Sequence, residues 1–417
     1  MRDLDRSGAA ARLPAFFLGL AAAWAATPAA AAPKGVTAAG YTVMHTFQKP
    51  DGFGVFAELA QGADGTLYGT GYFGGDADAG TVFAVTPTGK FPLKVLHTFQ
   101  TTDGVGSASG LVLGKDGNWY GLTGGGGEFS AGTAFRVTPA GALTTLHSFG
   151  AATGEGAYPY LGALVQATDG NLYGVNQQGG AKGSGTVFRM TPSGQVTVLH
   201  AFGGGANDGA QPRGGLVQAS DGFLYGTTVC GGVKTDAKGC GGILYRVNAK
   251  TGAFQLVHRF QPADAPQAPL IESQGFLYGT TSAGGSAGFG TVFKIALGTG
   301  AFTTLHGFAG GLRAPTPNQD GSTPTGRLLV ASDGNLYGTT SKGGPNAAID
   351  PNGDGIIFRL TPAGAYSVIH TFGASVNDSA RPWAGLIQGK DGNLYGAAHN
   401  GAYQSEGTIF RIALPAK

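Results

Sequence analysis

The sequence predicts an all-β fold, a seven-bladed β-propeller of four-stranded antiparallel blades, closed by an N-terminal strand that completes the last blade. Three observations carry this. First, the phrase Leu-Tyr-Gly, then Gly-Thr-Val-Phe, then Leu-His-x-Phe comes round seven times with small variations. Its tyrosines are Tyr68, Tyr120, Tyr173, Tyr225, Tyr278, Tyr337 and Tyr395, spaced 52, 53, 52, 53, 59 and 58 residues apart. A fixed period of this length signals stacked units, none of which buries its apolar face alone. Second, 78 glycines, 12% charged residues and 10% aromatics argue against disorder and suit short strands joined by tight turns. Third, the array opens on a lone fourth strand at 41–47 and ends on a third strand at 407–412 with no fourth behind it. Complementary ends let the ring close without a free sheet edge.

Residues 1–32 read as a signal peptide ahead of a single propeller domain at 41–414. Arg2, Arg6 and Arg12 give a basic start, residues 13–26 are apolar, and Ala29 to Ala32 offer small-residue cleavage sites. The apolar stretch is too short to span a bilayer. Its removal takes the net charge of +2 nearly to neutrality, so nothing electrostatic recommends nucleic acid or an anionic membrane as partner. A monomer exported to the periplasm or beyond, with no membrane span, is the expectation.

The third repeat shows the grammar of one blade. Residues 162–167 are a short apolar run, Asp169-Gly170 is a hairpin turn, and 171–175 form a second strand. A glycine-rich loop leads to a third strand at 186–191, and Pro192-Ser193-Gly194 turns the chain into a fourth at 195–202. The turns between strands one and two, and three and four, are short and uniform. Loops between strands two and three, and connections between blades, vary, so the face carrying them is the place to look for function.

Seven histidines keep the beat of the repeat: His45, His97, His147, His200, His258, His306 and His370. Each is followed by an acid in the inter-blade connection, respectively Asp51, Asp103, Glu155, Asp208, Asp264, Asp320 and Asp378. A catalytic site needs its residues at one place, whereas a scaffold needs them at all seven. These pairs therefore read as hydrogen bonds that hold the connections down, and the repeated Tyr and Phe as packing between blades.

Function is expected where the repeat breaks. His399 is the one histidine outside it and opens a second-to-third loop beside Asn400. With Phe73, Gln177, Gln178, Lys342 and Trp383, and with Tyr160, Arg213 and Arg381 from the connections, it gives a polar and aromatic surface suited to a carbohydrate or peptide. A catalytic alternative places His399 with Glu406 or Glu128. Asp350, Asn352 and Asp354 have the alternating oxygens of a calcium loop, but Thr361 stands where the completing Glu belongs, so structural calcium competes with plain turn chemistry; no other cofactor is expected. Cys230 and Cys240, the two cysteines, are expected to form a disulfide in an oxidising compartment. No nucleophile elbow, phosphate loop or His-Glu-x-x-His motif is present.

Asp-Gly-Asn-Leu-Tyr-Gly-Thr-Thr at 333–340, Gly343-Gly344 and residues 370–372, echoed at 221–228 and 278–293, resemble the GloVer tandem repeat of exported bacterial proteins. The resemblance covers residues 41–414 and implies a repeat fold and export, with no settled activity. Members of that family carry one of several alternative surface anchors, and no such segment is expected at either end here. Asp116-Gly117-Asn118-Trp119-Tyr120 is more weakly similar to the streptogramin lyases, propellers whose chemistry uses a histidine, an acid and a metal. The expectation is an exported, non-catalytic binding or scaffold propeller presenting one variable face to a carbohydrate, peptide or surface partner. The alternative is a lyase- or hydrolase-type propeller enzyme with its site on that face.

Overall fold

A computed structural model describes residues 40–414, except 89–91, 206, 233, 236–238, 311–319, 347–352, 375–377 and 402–405, and the side chains of 234, 235, 239 and 240. Seven four-stranded antiparallel sheets form the blades of a closed ring. In blade 3 the order from the axis outward is Val165–Gln166, Leu172–Asn176, Thr186–Met190 and Val196–Ala201. Blade 7 takes its outer strand from the other end of the chain: Tyr41–Thr46 pairs with Thr408–Ile412, Tyr41 opposite Ile412. The expected seven blades and their closure are as the sequence predicts.

The inner strand is shorter than expected. Of residues 162–167 only Val165 and Gln166 pair with the second strand. Leu161 has a φ of 65°, and a Cβ on Gly162 would lie 2.9 Å from the Val175 side chain and 3.2 Å from the Arg213 carbonyl of the next blade. Near the axis this segment leaves its own ladder to lie against a neighbour.

The repeated phrase is a set of joints. The glycine of Leu-Tyr-Gly is a seat for the aromatic ring of the third strand: a Cβ on Gly174 would stand 2.6 Å from Cζ of Phe188 and 3.0 Å from Cδ2 of Leu164. The same seat recurs in the other blades, with Tyr245 in place of Phe in blade 4. That ring in turn meets the phenylalanine of Leu-His-x-Phe from the preceding blade. Phe149 to Phe188 is 5.2 Å between centroids, Phe202 to Tyr245 5.1 Å, and Phe47 to Phe83, across the closure, 5.2 Å. These tilted arrangements favour the ring quadrupoles and are worth about 0.5–1.5 kcal/mol each beyond burial.

A β-bulge precedes every repeat histidine: Phe188 faces Val198 while Val187 faces His200, so Leu199 is skipped. The bulge sends Leu199 into the apolar joint with blade 4 and turns the imidazole toward the connection. Six of the seven expected bonds form, from 2.6 Å for His147–Glu155 and His200–Asp208 to 3.4 Å for His370–Asp378. The fifth does not: Asp264 accepts from the Gln261 amide at 3.0 Å, and His258 stacks on Phe302 at 4.3 Å.

On the opposite face, the tyrosine hydroxyl of five repeats donates to the aspartate four residues before it, as in Tyr173–Asp169 at 2.7 Å. A glutamine ending an inner strand also accepts the turn amide of the blade before it. Lys115 donates to Gln166, Thr168 to Gln218, Ser332 to Gln388 and, across the closure, Lys390 to Gln61, each at 2.8–2.9 Å. Glu272 takes this role for Ser220. Leu113 and Val330 occupy the two remaining acceptor positions.

Candidate functional site

The variable loops and inter-blade connections converge at one end of the ring axis. Two positions of the repeat build this mouth. One lies four residues after the repeat tyrosine, where the second strand ends; its backbone N–H holds the connection of its own blade, as in Gln177 to the Tyr158 carbonyl at 3.1 Å and His399 to the Arg381 carbonyl at 3.1 Å. The other lies three residues before the first buried leucine of each blade, and includes Phe56, Leu161, Arg213, Gln267, Thr325 and Trp383.

The aromatic members cluster on one side. The His399 ring meets Phe56 edge-on at 4.6 Å, Phe56 contacts Trp383 at 6.1 Å and Tyr72 at 5.4 Å, and Tyr72 contacts Phe73 at 4.6 Å. Tyr72 then reaches over blade 2 to Tyr160, 5.9 Å away. Blade 2 makes room with glycine: a Cβ on Gly106 would sit 2.7 Å from the Tyr72 ring, and one on Gly124 2.9 Å from Tyr160. Burial pushes both phenols above their ordinary range.

The other side is polar. Arg213 donates from Nε and Nη2 to the Gln177 amide oxygen, both at 2.8 Å with the amide oriented to satisfy both groups, and from Nη1 to Gln267 Oε1 at 3.4 Å. Gln267 donates onward to Ser282 Oγ at 2.8 Å. Burial depresses the guanidinium pKa. Below the mouth Arg327 of blade 6 and Glu58 of blade 1 pair at 3.6 Å past blade 7, where a Cβ on Gly385 would lie 2.4 Å from the Arg327 carbonyl and 3.1 Å from Glu58 Cγ. The axial cavity they help to line, with Phe56, Leu161, Gln267 and Trp383, has a volume of about 30 Å³. A cavity that size holds water and no sugar ring, so a ligand of ordinary size, which wants about 300 Å³ or more, must lie on the mouth.

The sequence-predicted residues divide. His399, Trp383, Gln177, Phe73, Tyr160 and Arg213 are brought into this mouth. Gln178 is exposed, and its backbone pairs with Ala157 on the connection. Lys342 is tied by its backbone to Ser322, and Asn400 pairs with Ala380 with its Oδ1 enclosed and unpartnered. Phe56 and Gln267 were not singled out; aligning the residue three before each repeat leucine would have found them.

The catalytic alternative is not assembled among the described residues. Burial holds the His399 imidazole below its ordinary value of 6.5, and its Nδ1 is enclosed without a partner. No bond joins it to Glu406 or to Glu128, which is exposed on a loop of blade 2. Asp350 and Asn352 lie outside the described residues; Asp354 is fully buried and its backbone bonds to Asn346 and Arg381. No cluster of three or more His, Cys, Asp or Glu able to hold a metal occurs among the described residues. Cys230 ends a strand and Cys240 pairs by backbone with Lys234, but the Cys240 side chain lies outside the described set. No described helix is long and apolar enough to cross a membrane.

Fold and repeat together define a seven-bladed propeller with one variable mouth. The chain belongs to the Gloeobacter/Verrucomicrobia repeat family, whose profile matches residues 34–237 and 164–410. No curated protein matches in sequence. Among solved structures it is similar to an oligogalacturonate lyase in complex with manganese (TM-score 0.58, 14% identity, covering 92% of this chain and 96% of that one). It is also similar to the oligogalacturonate lyase of Vibrio parahaemolyticus (0.56, 11%, 92% and 96%) and the GH74 enzyme of Niastella koreensis (0.56, 15%, 90% and 53%). At these identities the likeness is one of fold.

Proposed function

We propose that the protein is an exported, non-catalytic binding propeller whose mouth takes a carbohydrate. The observation that carries this reading is the arc of partly exposed rings, Trp383, Tyr72 and Tyr160, backed by the buried Phe56 and sharing the mouth with the amides of Gln177 and Gln267. Rings of this kind stack on the apolar faces of sugars, and fixed amides read hydroxyl groups. His399 serves there as a neutral wall against Phe56. Export follows from the basic, apolar and small-residue succession of residues 1–32.

The test is a glycan and peptide array probed with mature protein, with and without calcium, beside Trp383→Ala and Tyr72→Ala. Glycan binding lost in both variants at unchanged thermal stability is the expected result. Binding that survives both variants, or turnover of a bound glycan that His399→Ala abolishes, overturns the reading.

A further inference from the structure

We infer that the mouth selects an acidic sugar, with Arg213 as the residue that holds the ligand's carboxylate. The inference rests on the carbohydrate reading above and adds its charge.

Arg213 is half-buried at the rim of the mouth, in the irregular stretch of the inner strand Ala210–Gln218 of blade 4, where the register shifts between Pro212 and Leu216. Charged side chains taken out of water are normally paired with an opposite charge. Among the described residues no carboxylate pairs with this one. Its neighbours are neutral: the Gln177 oxygen bridges Nε and Nη2, the Gln267 oxygen takes Nη1, and nearby Tyr160 is a phenol, neutral at ordinary pH, whose pKa burial pushes higher still. Two other arginines near the mouth are already engaged. Arg327 pairs with Glu58, and Arg381 has a partner of its own.

Two amide oxygens therefore aim the guanidinium without discharging it. They use three of its five N–H bonds and fix its plane, which pre-organises the remaining donors. A planar carboxylate fits such a fork, and the bond would be charge-assisted in a partly desolvated place. Gln177 is itself held by its backbone to the Tyr158 carbonyl, and Gln267 by Ser282, so the support is rigid. The aromatic arc stands beside it through Tyr160, in position to take the ring of a sugar whose acid group rests on Arg213. A sugar carrying both groups, a uronic acid, satisfies both halves of the mouth. An acidic peptide satisfies only the cation.

The experiment is titration calorimetry of the mature protein with oligosaccharides of glucuronic acid and of galacturonic acid, each beside its fully methyl-esterified form. A peptide with a free C-terminal carboxylate is the third probe. The ester removes the charge and leaves the sugar, so the comparison needs no variant. We expect at least one acid to bind about ten- to a hundred-fold more tightly than its ester, as a charged hydrogen bond of this class implies. Arg213→Gln brings the acid to the level of the ester at unchanged melting temperature, and Arg213→Lys recovers part of the preference. Acid and ester binding alike, to a mouth that Trp383→Ala still weakens, overturns the charge assignment and leaves the carbohydrate reading standing. Binding of neither acid nor ester overturns the acidic-sugar assignment, and the carbohydrate reading falls with it only where the glycan array is blank as well; binding of the peptide alone overturns both in favour of a peptide site.

Discussion

Adding one methyl group to the glycine of Leu-Tyr-Gly should unsettle a whole blade. In Gly174→Ala the new Cβ falls 2.6 Å from Cζ of Phe188, where ordinary carbon contacts are about 3.5–4.0 Å, so the ring must retreat by roughly 1 Å. It has nowhere to go. Phe188 is fully buried, Leu164 closes the same pocket at 3.0 Å from the added carbon, and Phe149 of the preceding blade lies 5.2 Å from the ring centre. Overpacking of this kind costs about 1–3 kcal/mol. The loss of unfolded-chain entropy offsets only about 0.4–1 kcal/mol of it. Urea unfolding followed by tyrosine fluorescence should therefore show a lower midpoint at similar slope. Phe188→Leu removes the atom that clashes, so Gly174→Ala/Phe188→Leu should be more stable than the two single losses add up to, by about 0.5–3 kcal/mol. A Gly174→Ala protein as stable as the parent, or strict additivity in the double variant, would refute the seat.

Acidification should weaken the ring in two stages. Burial holds His200 and His258 below 6.5, so below that pH the unfolded chain takes up protons that the folded blades resist, and stability falls as pH drops from about 6.5. Asp208 and Asp320 are also held low, because hydrogen bonds from His200 and His306 and from backbone amides outweigh the burial that alone would raise them. Their contribution, present above about pH 3.8, is lost as pH falls through their folded values. A urea midpoint unchanged between pH 7.5 and 5 contradicts this. Leu113→Gln should supply one of the two missing links of the glutamine series by accepting the Ala63 amide, raising stability by about 0.5–1.5 kcal/mol in the same assay; no gain would mean that the series is incidental. Cys230 and Cys240 should titrate as no free thiol in the denatured, unreduced mature protein, and a stoichiometric thiol signal disproves the disulfide.

The scaffold was legible because it is written seven times. The turn chemistry of Asp169-Gly170, the third strand around Phe188 and the histidine–acid pairing all recur, and recurrence separates structural roles from chemical ones. Even so, the fifth pair failed: Asp264 caps a backbone amide while His258 stacks on Phe302. The bond from the tyrosine hydroxyl to the aspartate four residues earlier had a clear signal in the spacing and went unread. The mouth was only half legible. Its residues each occur once, and their contacts depend on ring closure, which sets His399 of the last blade against Phe56 of the first. Gln178 and Lys342 stand one residue beyond the mouth position of their blades, as Phe73 does, and a place in a loop does not by itself fix where a side chain points. Arg213 is a polar residue like others in the sequence, and that no described carboxylate pairs with it is visible only in three dimensions.

The strand that completes blade 7 also sets the order of events during folding. Tyr41–Thr46 and Thr408–Ile412 are the paired strands farthest apart along the chain, so theirs is the contact expected to form last. Until it forms, six blades can be complete while the seventh shows a bare three-stranded edge, open to any extended segment that arrives first. A synthetic peptide copying residues 40–47, added during refolding, should compete for that edge and trap an open ring. Two chains emerging side by side could equally exchange their first strands, which makes the closing joint the place where this protein is most exposed to error.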